Sequence, residues 1–149
     1  MGTPKLERNA PAKKLENVLK EYEDAEDLDG QIRIMKRILN FAPKLGLYRN
    51  KLGLAFMEQE QFGYAYQQFN KAYLTDERNP VYILNMGHAQ ESKDKYSDAE
   101  KLFQQAWDLD LEDYSPPRAL ASLYFYKLGR KKKAHNTLEK AIDADGILD

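Results

Sequence analysis

Residues 87–106 read GHAQESKDKYSDAEKLFQQA, and residues 53–72, which lie 34 positions earlier, read GLAFMEQEQFGYAYQQFNKA. The two stretches share few letters. Both nevertheless carry Gly, then Ala two positions later, an aromatic residue nine later, Ala twelve later, Phe sixteen later and Ala nineteen later. A constant pattern of small and aromatic residues within a drifting sequence is typical of packing positions in a repeated helical hairpin.

The composition limits the class of protein. The chain has 149 residues, of which 42% are hydrophobic and 32% are charged, and its formal charge is −1. These values predict one domain of ordinary size with a continuous core. The balanced charge gives no general reason to expect nucleic acid or an anionic membrane as a partner. Because there is no cysteine, disulfides, Cys-type zinc sites and thiol catalysis are excluded, while the redox compartment stays open.

The two ends of the chain carry little information about targeting. No apolar run approaches the roughly 18 residues of a membrane span, so no membrane insertion is expected. No signal peptide is recognisable, which favours a cytoplasmic location. The opening letters MGTP are typical of an expression scar, however, and are compatible with the removal of a native leader. We assign residues 1–11 and 147–149 to terminal tails.

Apolar residues recur at helical spacing along the chain, and no convincing alternating pattern of a strand is present. Leu15, Val18, Leu19 and Tyr22 form the first of these stripes. The stripes predict an all-α fold of eight helices, over residues 13–27, 30–41, 46–59, 62–75, 80–93, 97–110, 116–128 and 131–144. Consecutive helices are expected to pair into four hairpins.

Several residues mark the predicted helix ends. Asn79-Pro80 and Ser115-Pro116 each read as an N-cap followed by proline in the first turn. Ser97 and Glu100 have the spacing of a capping box. Gly129 and Gly146 are expected to stop the helices that precede them.

The hairpins recur with a constant period. Gly53 and Phe69 return as Gly87 and Phe103 after 34 positions, whereas Ala99 returns as Ala134 after 35. We place the extra residue in the linker LEDYSPP, residues 111–117. A helix–turn–helix unit with this period resembles the tetratricopeptide repeat (TPR), whose pattern is W-x-x-L-G-x-x-Y, then A-x-x-x-F, then P. The resemblance covers residues 12–146 as four repeats, of about 12–45, 46–79, 80–114 and 115–146.

The residues that carry the resemblance occupy the motif slots of each repeat. In chain order they are Val18, Tyr22, Met35, Ile38 and Pro43; then Leu52, Gly53, Phe56, Ala65, Phe69 and Ala72; then Met86, Gly87, Ala99, Phe103 and Ala106; then Ser122, Phe125, Ala134, Leu138 and Ala141. The sequence departs from the pattern in the Trp slot, which holds no Trp, and in the final Pro slot, which is filled once. The resemblance implies a right-handed α-solenoid of four hairpins.

The resemblance also implies a role for each class of slot. Gly53, Gly87 and Ser122 should lie where the two helices of a hairpin press together, with Ala65, Ala99 and Ala134 as their counterparts on the second helices. Phe69, Phe103 and Leu138 should fill the space between adjacent hairpins. Tyr48 and Tyr82 repeat with the same period and are expected to be packing residues.

The sequence offers little catalytic chemistry. The two histidines, His88 and His135, lie in different repeats, and neither has a metal-ligand partner at helical spacing. No phosphate-binding glycine loop and no nucleophile elbow are present. We therefore expect no enzymatic activity, no metal and no cofactor.

Two charged runs are candidate contact sites. Residues 21–29, EYEDAEDLD, place six carboxylates at the first hairpin turn, either as a solvated turn or as a patch for a basic partner. Arg130, Lys131, Lys132 and Lys133 open the last helix, where positive charge opposes the helix dipole. This basic run is either a tolerated exposed turn or a candidate patch for an anionic partner.

In the family that the chain resembles, the first helices of the hairpins line a concave groove that holds peptide ligands. Transferring the groove slots gives the candidate partner-binding residues Asn50, Lys51, Leu54, Met57, Leu84, Asn85, His88, Leu120, Leu123 and Tyr126. Exposure of the apolar members to water would be unfavourable, which favours a contact role, although some of the leucines could instead cover the boundaries between hairpins. The function implied is a non-enzymatic scaffold or adaptor that binds a peptide or helix of a partner protein.

Chaperone-binding members of the family hold a C-terminal carboxylate with a clamp of Lys, Asn and Arg. The corresponding slots here hold Glu16, Lys20, Lys51, Val81 and Asn85 in one frame, or Asn50, Leu54, Asn85, Pro116 and Leu120 in the other. Neither set makes the clamp, so a chaperone tail is not the expected ligand. The alternative function is an RNA-binding helical-repeat protein, which usually needs a basic groove that the net charge of −1 does not favour.

The terminal helices should close the array. A solenoid needs polar outer faces at its ends to stay soluble. The first and last helices each show one apolar stripe, formed in the last by Ala134, Leu138, Ala141 and Ile142. We therefore expect a complete four-repeat array that is a monomer.

Overall fold

A computed structural model of the chain describes residues 10–144. Those residues form helices joined by short turns and contain no strand. The helices are α1 (Ala10–Asp24), α2 (Leu28–Phe41), α3 (Gly46–Glu58), α4 (Phe62–Tyr73), α5 (Pro80–Ser92), α6 (Tyr96–Leu109), α7 (Ser115–Ser122, continued by a π-helical turn over Leu123–Lys127) and α8 (Lys131–Ala144). The predicted all-α fold and its eight helices are confirmed.

Consecutive helices pack as antiparallel pairs, and the pairs fall into two compact units that divide after Asp76. The first unit contains the hairpins α1–α2 and α3–α4. The second contains α5–α6 and α7–α8. Each unit has its own buried residues.

In the first unit, a glycine makes a close contact between the two helices of the α3–α4 hairpin. A Cβ atom added to Gly53 on α3 would lie 2.5 Å from the ring of Phe69 on α4, well inside van der Waals contact. Phe69 and Ala65 are fully buried, as are Met35 and Ile38 on α2. The absence of a side chain at position 53 therefore lets the two helices close over the Phe69 ring. The close contact at Gly53 was predicted, but the nearest atoms across it belong to Phe69 and not to the predicted counterpart, Ala65.

The second unit repeats this contact in α5–α6. A Cβ at Gly87 would also lie 2.5 Å from a ring atom, here of Phe103. Phe103 belongs to the same buried cluster as Leu120 and Leu123 of the next hairpin. It therefore fills both the space beneath the glycine of its own hairpin and the predicted space between hairpins.

The last hairpin departs from the predicted register. Ser122, predicted to be its close-contact residue, is exposed, and Ala121 is buried instead. The buried residues of α7 follow those of α5 at 34 positions, since Leu120 follows Met86 and Tyr124 follows Gln90. The prediction of a spacing of 35 positions at the start of this hairpin is therefore wrong.

The extra residue lies in the π-helical turn at the end of α7. There the Leu128 N–H donates to the Leu123 carbonyl, a five-residue step, and the Arg130 N–H donates to the Tyr124 carbonyl, a six-residue step. The other hairpin turns close with a five-residue step, as between the Gln61 N–H and the Phe56 carbonyl. The prediction that the insertion falls in residues 111–117 is wrong, because a helix can absorb one residue as a π-turn.

The turns inside the hairpins share a left-handed residue. Glu26, Glu60 and Asp94 have φ of 55°, 58° and 58°, and Gly129 has φ of 63°. These residues succeed one another after 34, 34 and 35 positions, so the turn is part of the repeat. Gly129 is the only one of the four with no steric cost in this conformation.

The predicted caps are confirmed at one helix and wrong at two. The Asn79 side chain accepts from the Val81 N–H at the start of α5. Ser115 is the first residue of α7 rather than its cap, which is Tyr114, and α6 begins after Lys95 without a side-chain cap. Gly129 follows the last turn of its helix as predicted, and Gly146 lies outside the described residues.

Candidate binding surfaces

The candidate residues of the first unit lie on α3, and they differ in exposure. Asn50 is buried, Met57 is half-buried and Leu54 is 43% exposed. Lys51 is paired with Glu23 of α1 at 3.2 Å. Leu54 is therefore the predicted residue of this helix that is most open to a partner, whereas Lys51 is already held by a carboxylate.

Tyr48 lies beside this surface as a packing residue. It is buried, and its hydroxyl donates to Glu16 at 2.5 Å. Burial, reinforced by the Glu16 carboxylate, raises the pKa of Tyr48 well above its usual range. Tyr82 of α5 is buried as well, so the predicted packing role of both tyrosines is confirmed.

The candidate residues of α5 in the second unit form a mixed surface. Leu84 and Asn85 are half-buried, and the His88 ring lies 5.0 Å from the Phe103 ring. Burial lowers the pKa of His88, and the nearby Arg118 guanidinium lowers it further. The neutral imidazole is therefore the favoured form on this surface at neutral pH.

The candidates of the last hairpin need correction. Leu120 is 1% exposed and Leu123 is 0% exposed, and both belong to the buried cluster of the second unit. The prediction that these two residues contact a ligand is wrong, because α7 keeps the register of α5 up to the π-turn. In that register the exposed side of α7 carries Arg118, Ser122 and Phe125 instead.

Tyr126 is exposed as predicted, with 76% of its surface open. It lies in the π-helical turn, next to Phe125, with the two ring centres 4.9 Å apart.

The basic run at the start of α8 is not one uniform patch. Lys133 is paired with Glu100 of α6 at 3.4 Å and lies 4.6 Å from the centre of the Tyr124 ring. Lys131 lies over the Phe125 ring, and Arg130 and Lys132 are exposed. The Tyr124 hydroxyl also donates to Glu100 at 2.7 Å, so this carboxylate ties α6 to the last hairpin.

Much of the acidic run has structural contacts. Asp27 caps α2 by accepting from the Gly30 N–H, and Asp29 accepts from the Gln59 amide at 2.6 Å. Glu23 forms the ion pair with Lys51. These contacts support the interpretation of a solvated structural turn over that of a patch for a basic partner.

Neither histidine lies in a metal-binding arrangement within residues 10–144, where no group of three or more His, Asp or Glu side chains could hold an ion. His135 is exposed, with Nε2 3.7 Å from Glu139. Over the same part of the chain, every helix is too short or too polar to cross a bilayer.

Sequence reasoning missed two exposed apolar residues on these helices. Leu47 on α3 is 50% exposed and Val81 on α5 is 49% exposed, and they occupy the same position in consecutive hairpins. Their spacing of 34 positions was available in the sequence. Because periodicity alone does not separate an exposed apolar residue from a packed one, the structure was needed to find them.

The fold is that of known TPR structures. The chain is similar to residues 41 to the end of MamA from Desulfovibrio magneticus RS-1, with 15% identity, a TM-score of 0.80, and 97% of this chain and 84% of that chain covered. It is also similar to the Arabidopsis OM64 TPR domain, with 20% identity, a TM-score of 0.69, and coverage of 76% and 94%.

A third similar structure contains a ligand. It is the second TPR domain of human RPAP3 in complex with the HSP70 peptide SGPTIEEVD, with 14% identity, a TM-score of 0.68, and coverage of 73% and 91%. The chain has a TPR-like fold. No family model matches its sequence, and no curated protein matches it.

Proposed function

We propose that the chain is a non-enzymatic protein-interaction module that holds a peptide or helix of a partner protein on the exposed sides of its first helices. The observation that carries the proposal is the recurrence of exposed apolar residues at one repeat position, Leu47 on α3 and Val81 on α5. Packing explains a repeated buried residue but not a repeated exposed one. In a chain with a mean hydropathy of −0.76, such residues favour a contact surface.

Neighbouring residues give this surface its chemistry. In the first unit Leu54 would add an apolar contact to that of Leu47, and in the second unit Leu84 would add one to that of Val81. Asn85 already has an interaction of its own, so we assign it to orienting the surface rather than to supplying a free amide. His88, kept neutral by burial, offers a donor and an acceptor without charge.

The type of ligand follows from the charges on α3. The RPAP3 domain is bound to a peptide that ends in EEVD. In this chain Lys51 is neutralised by Glu23, and the clamp slots contain apolar residues. We therefore propose that the ligand is an internal apolar segment rather than an acidic chain terminus.

Affinity capture with matched variants tests the proposal. Leu54→Glu and Val81→Glu should abolish capture of the partners that the wild type retains from native lysate, because each places a carboxylate in an apolar contact. The controls are Leu74→Glu and Leu111→Glu, which change exposed leucines in the turns that follow α4 and α6. Equal loss or equal retention in all four variants would contradict the proposal.

Purified partner and a defined RNA then separate the two functional classes. Binding of the partner should weaken by roughly tenfold or more in each first-helix variant, as expected at a contact hot spot. A salt-dependent RNA gel shift with the wild type should give no complex. An RNA complex lost in the same variants would favour the alternative of an RNA-binding repeat protein.

A further inference from the structure

The last hairpin has an apolar depression that contains none of the α3 and α5 residues on which the proposed function rests. It has a volume of about 420 Å³ and lies between α7, with its π-helical turn, and the first half of α8. Its apolar lining includes Phe125, Ala134 and Leu138, and Phe125 is 42% exposed. We call this depression the terminal groove. It belongs to the second unit alone.

The basic side chains that line the terminal groove present nitrogen donors. They are Arg118, Lys131 and His135, and the Lys131 ammonium lies 5.3 Å from the centre of the Phe125 ring. Among the described residues, no carboxylate lines the groove; that of Glu139 lies 3.7 Å from His135, outside the lining. The groove is therefore an apolar floor with a positive rim.

In the preceding hairpin of the same unit, α5–α6, the surface equivalent to the terminal groove is covered by a helix. The residues 35 positions before Ala134 and Leu138 are Ala99 and Phe103. Helix α7 packs on that surface, and its Leu120, Leu123 and Tyr124 are buried in one cluster with Ala99 and Phe103. These three α7 residues have the i, i+3, i+4 spacing of a single helix face.

The surface of α6 that α7 covers carries a carboxylate, whereas the equivalent position at the terminal groove carries a basic side chain. On the earlier surface, Glu100 of α6 accepts from the Tyr124 hydroxyl and pairs with Lys133. His135 takes the place of Glu100 in the last hairpin. A helix that docked on the terminal groove would therefore meet nitrogen groups where α7 meets a carboxylate.

We propose that the terminal groove binds an amphipathic helix of a partner protein, with apolar residues at i, i+3 and i+4 and carboxylates beside them. The apolar residues replace water on the groove floor, and the carboxylates pair with the rim. A second copy presenting the same groove would oppose cation to cation, which disfavours a symmetric dimer. The site includes Arg118 and Phe125 from the exposed side of the first helix α7 and adds residues of α8. It does not depend on the α3 and α5 residues that carry the proposed function.

Three synthetic peptides serve as probes. The first is a fluorescein-labelled helix of about 18 residues, long enough for several turns, with Leu at i, i+3, i+4 and i+7 and Glu at the flanking positions. The second replaces the Glu residues with Lys, and the third replaces the Leu residues with Ser. Fluorescence anisotropy should show that the wild type binds the first peptide about tenfold or more tightly than either of the others.

Protein variants then locate the site. Phe125→Ser should weaken binding of the Glu peptide by about tenfold or more. Lys131→Glu combined with His135→Glu should reverse the preference, so that the Lys peptide binds more tightly than the Glu peptide. The matched control is Asn136→Glu combined with Lys140→Glu, which makes the same change of net charge at exposed α8 residues outside the groove and should keep the wild-type preference.

Other outcomes overturn the proposal. Equal effects of the groove pair and the control pair would mean that net charge alone drives binding. If Leu54→Glu abolished binding of the Glu peptide and Phe125→Ser did not, the peptide would bind on the exposed side of α3. A dimer in sedimentation that Phe125→Ser dissociates would make a second copy the occupant. Binding that required removal of residues 145–149 would make the chain's own end the occupant. Circular dichroism of every variant establishes that it is folded.

Discussion

The two hairpins of the second unit fill equivalent packing positions with residues of different size. In α5–α6, Gly87 lies against the fully buried ring of Phe103. In α7–α8, the equivalent residues are Ala121 and the half-buried Leu138. The first pair leaves no room for one additional carbon, whereas beside the second pair lies the apolar depression of the terminal groove.

The difference shows where the repeat is free to vary. A glycine closed over a buried ring fixes the register of the two helices on either side of it. In α7–α8 that contact is absent, and the additional residue of the chain lies beyond it, in the π-helical turn of Leu123–Lys127. We infer that the close contact, more than the number of residues, defines a regular hairpin of this protein.

The largest expected effect comes from removing the ring at the close contact. Phe103→Ala should lower the free energy of unfolding by about 3–5 kcal/mol, because it deletes a fully buried aromatic side chain. Leu138→Ala should cost about 1–2 kcal/mol, because Leu138 is half-buried. Urea unfolding followed by fluorescence of Trp107, the one tryptophan of the chain, reports on the second unit. Equal costs for the two variants would contradict the comparison.

The sequence predicted the all-α fold, the hairpin order and the close-contact role of Gly53 and Gly87 because these depend on short-range spacing. It did not predict that Phe69 and Phe103 lie against those glycines, because the repeat marks both as packing residues without saying what they contact. The sequence did not locate the additional residue. Repeat positions on α7 that are counted forward from α5 differ by one residue from those counted back from α8. Only the hydrogen bonds of the π-helical turn show where the additional residue lies.

The candidate site was predicted less well for the same reason. On α3 the candidate Leu54 is exposed but Asn50 is buried, and on α5 the candidates Leu84, Asn85 and His88 are half-buried. The predicted contact positions on α7 were displaced by one residue. Buried neighbours were therefore assigned to the surface in place of the exposed Arg118 and Ser122. A single inserted residue turns a helix face by about 100°, which is enough to move a binding residue into the core.

A smaller effect is expected from adding one carbon at the close contact. Gly87→Ala should destabilise by about 1–2 kcal/mol, because overpacking against Phe103 exceeds the gain of about 1 kcal/mol in helix propensity. Gly63→Ala on α4 is the control, because a Cβ there would have no neighbour within 4 Å. It should stabilise by up to about 1 kcal/mol. Destabilisation by Gly63→Ala, measured by thermal unfolding, would show that the helix backbone and not the contact sets the result.

The hairpin turns offer a still smaller effect. Gly129→Ala should cost about 1 kcal/mol, because alanine is strained in the left-handed conformation with φ of 63°. Asp94→Gly in the α5–α6 turn should instead stabilise by a few tenths of a kcal/mol, roughly, because it removes a milder strain. The two variants should therefore shift the Trp107 urea midpoint in opposite directions. Shifts of the same sign would mean that the two turns do not share one conformation.

The smallest expected effect concerns the pH dependence of the second unit, through His88. Burial, with the Arg118 guanidinium adding to it, lowers the pKa of His88 in the folded chain, whereas the unfolded chain has the ordinary value of about 6.5. Between these two values the unfolded state binds more protons than the folded state. The stabilising contribution of the neutral imidazole is therefore complete above about pH 6.5 and is lost as the pH falls through the folded pKa.

His88→Asn isolates this contribution from those of the other titrating groups. Glu91, which is half-buried on the same helix, has its pKa raised by burial and so opposes the loss of stability as the pH falls. That opposing effect is common to both proteins. The urea midpoint of the wild type, relative to that of His88→Asn, should therefore fall between pH 7.5 and pH 5.5, roughly the range in which an unperturbed histidine titrates. Parallel curves for the wild type and His88→Asn would show that the ring of His88 is hydrated in solution. Its contact with Phe103 would then not distinguish α5–α6 from the last hairpin.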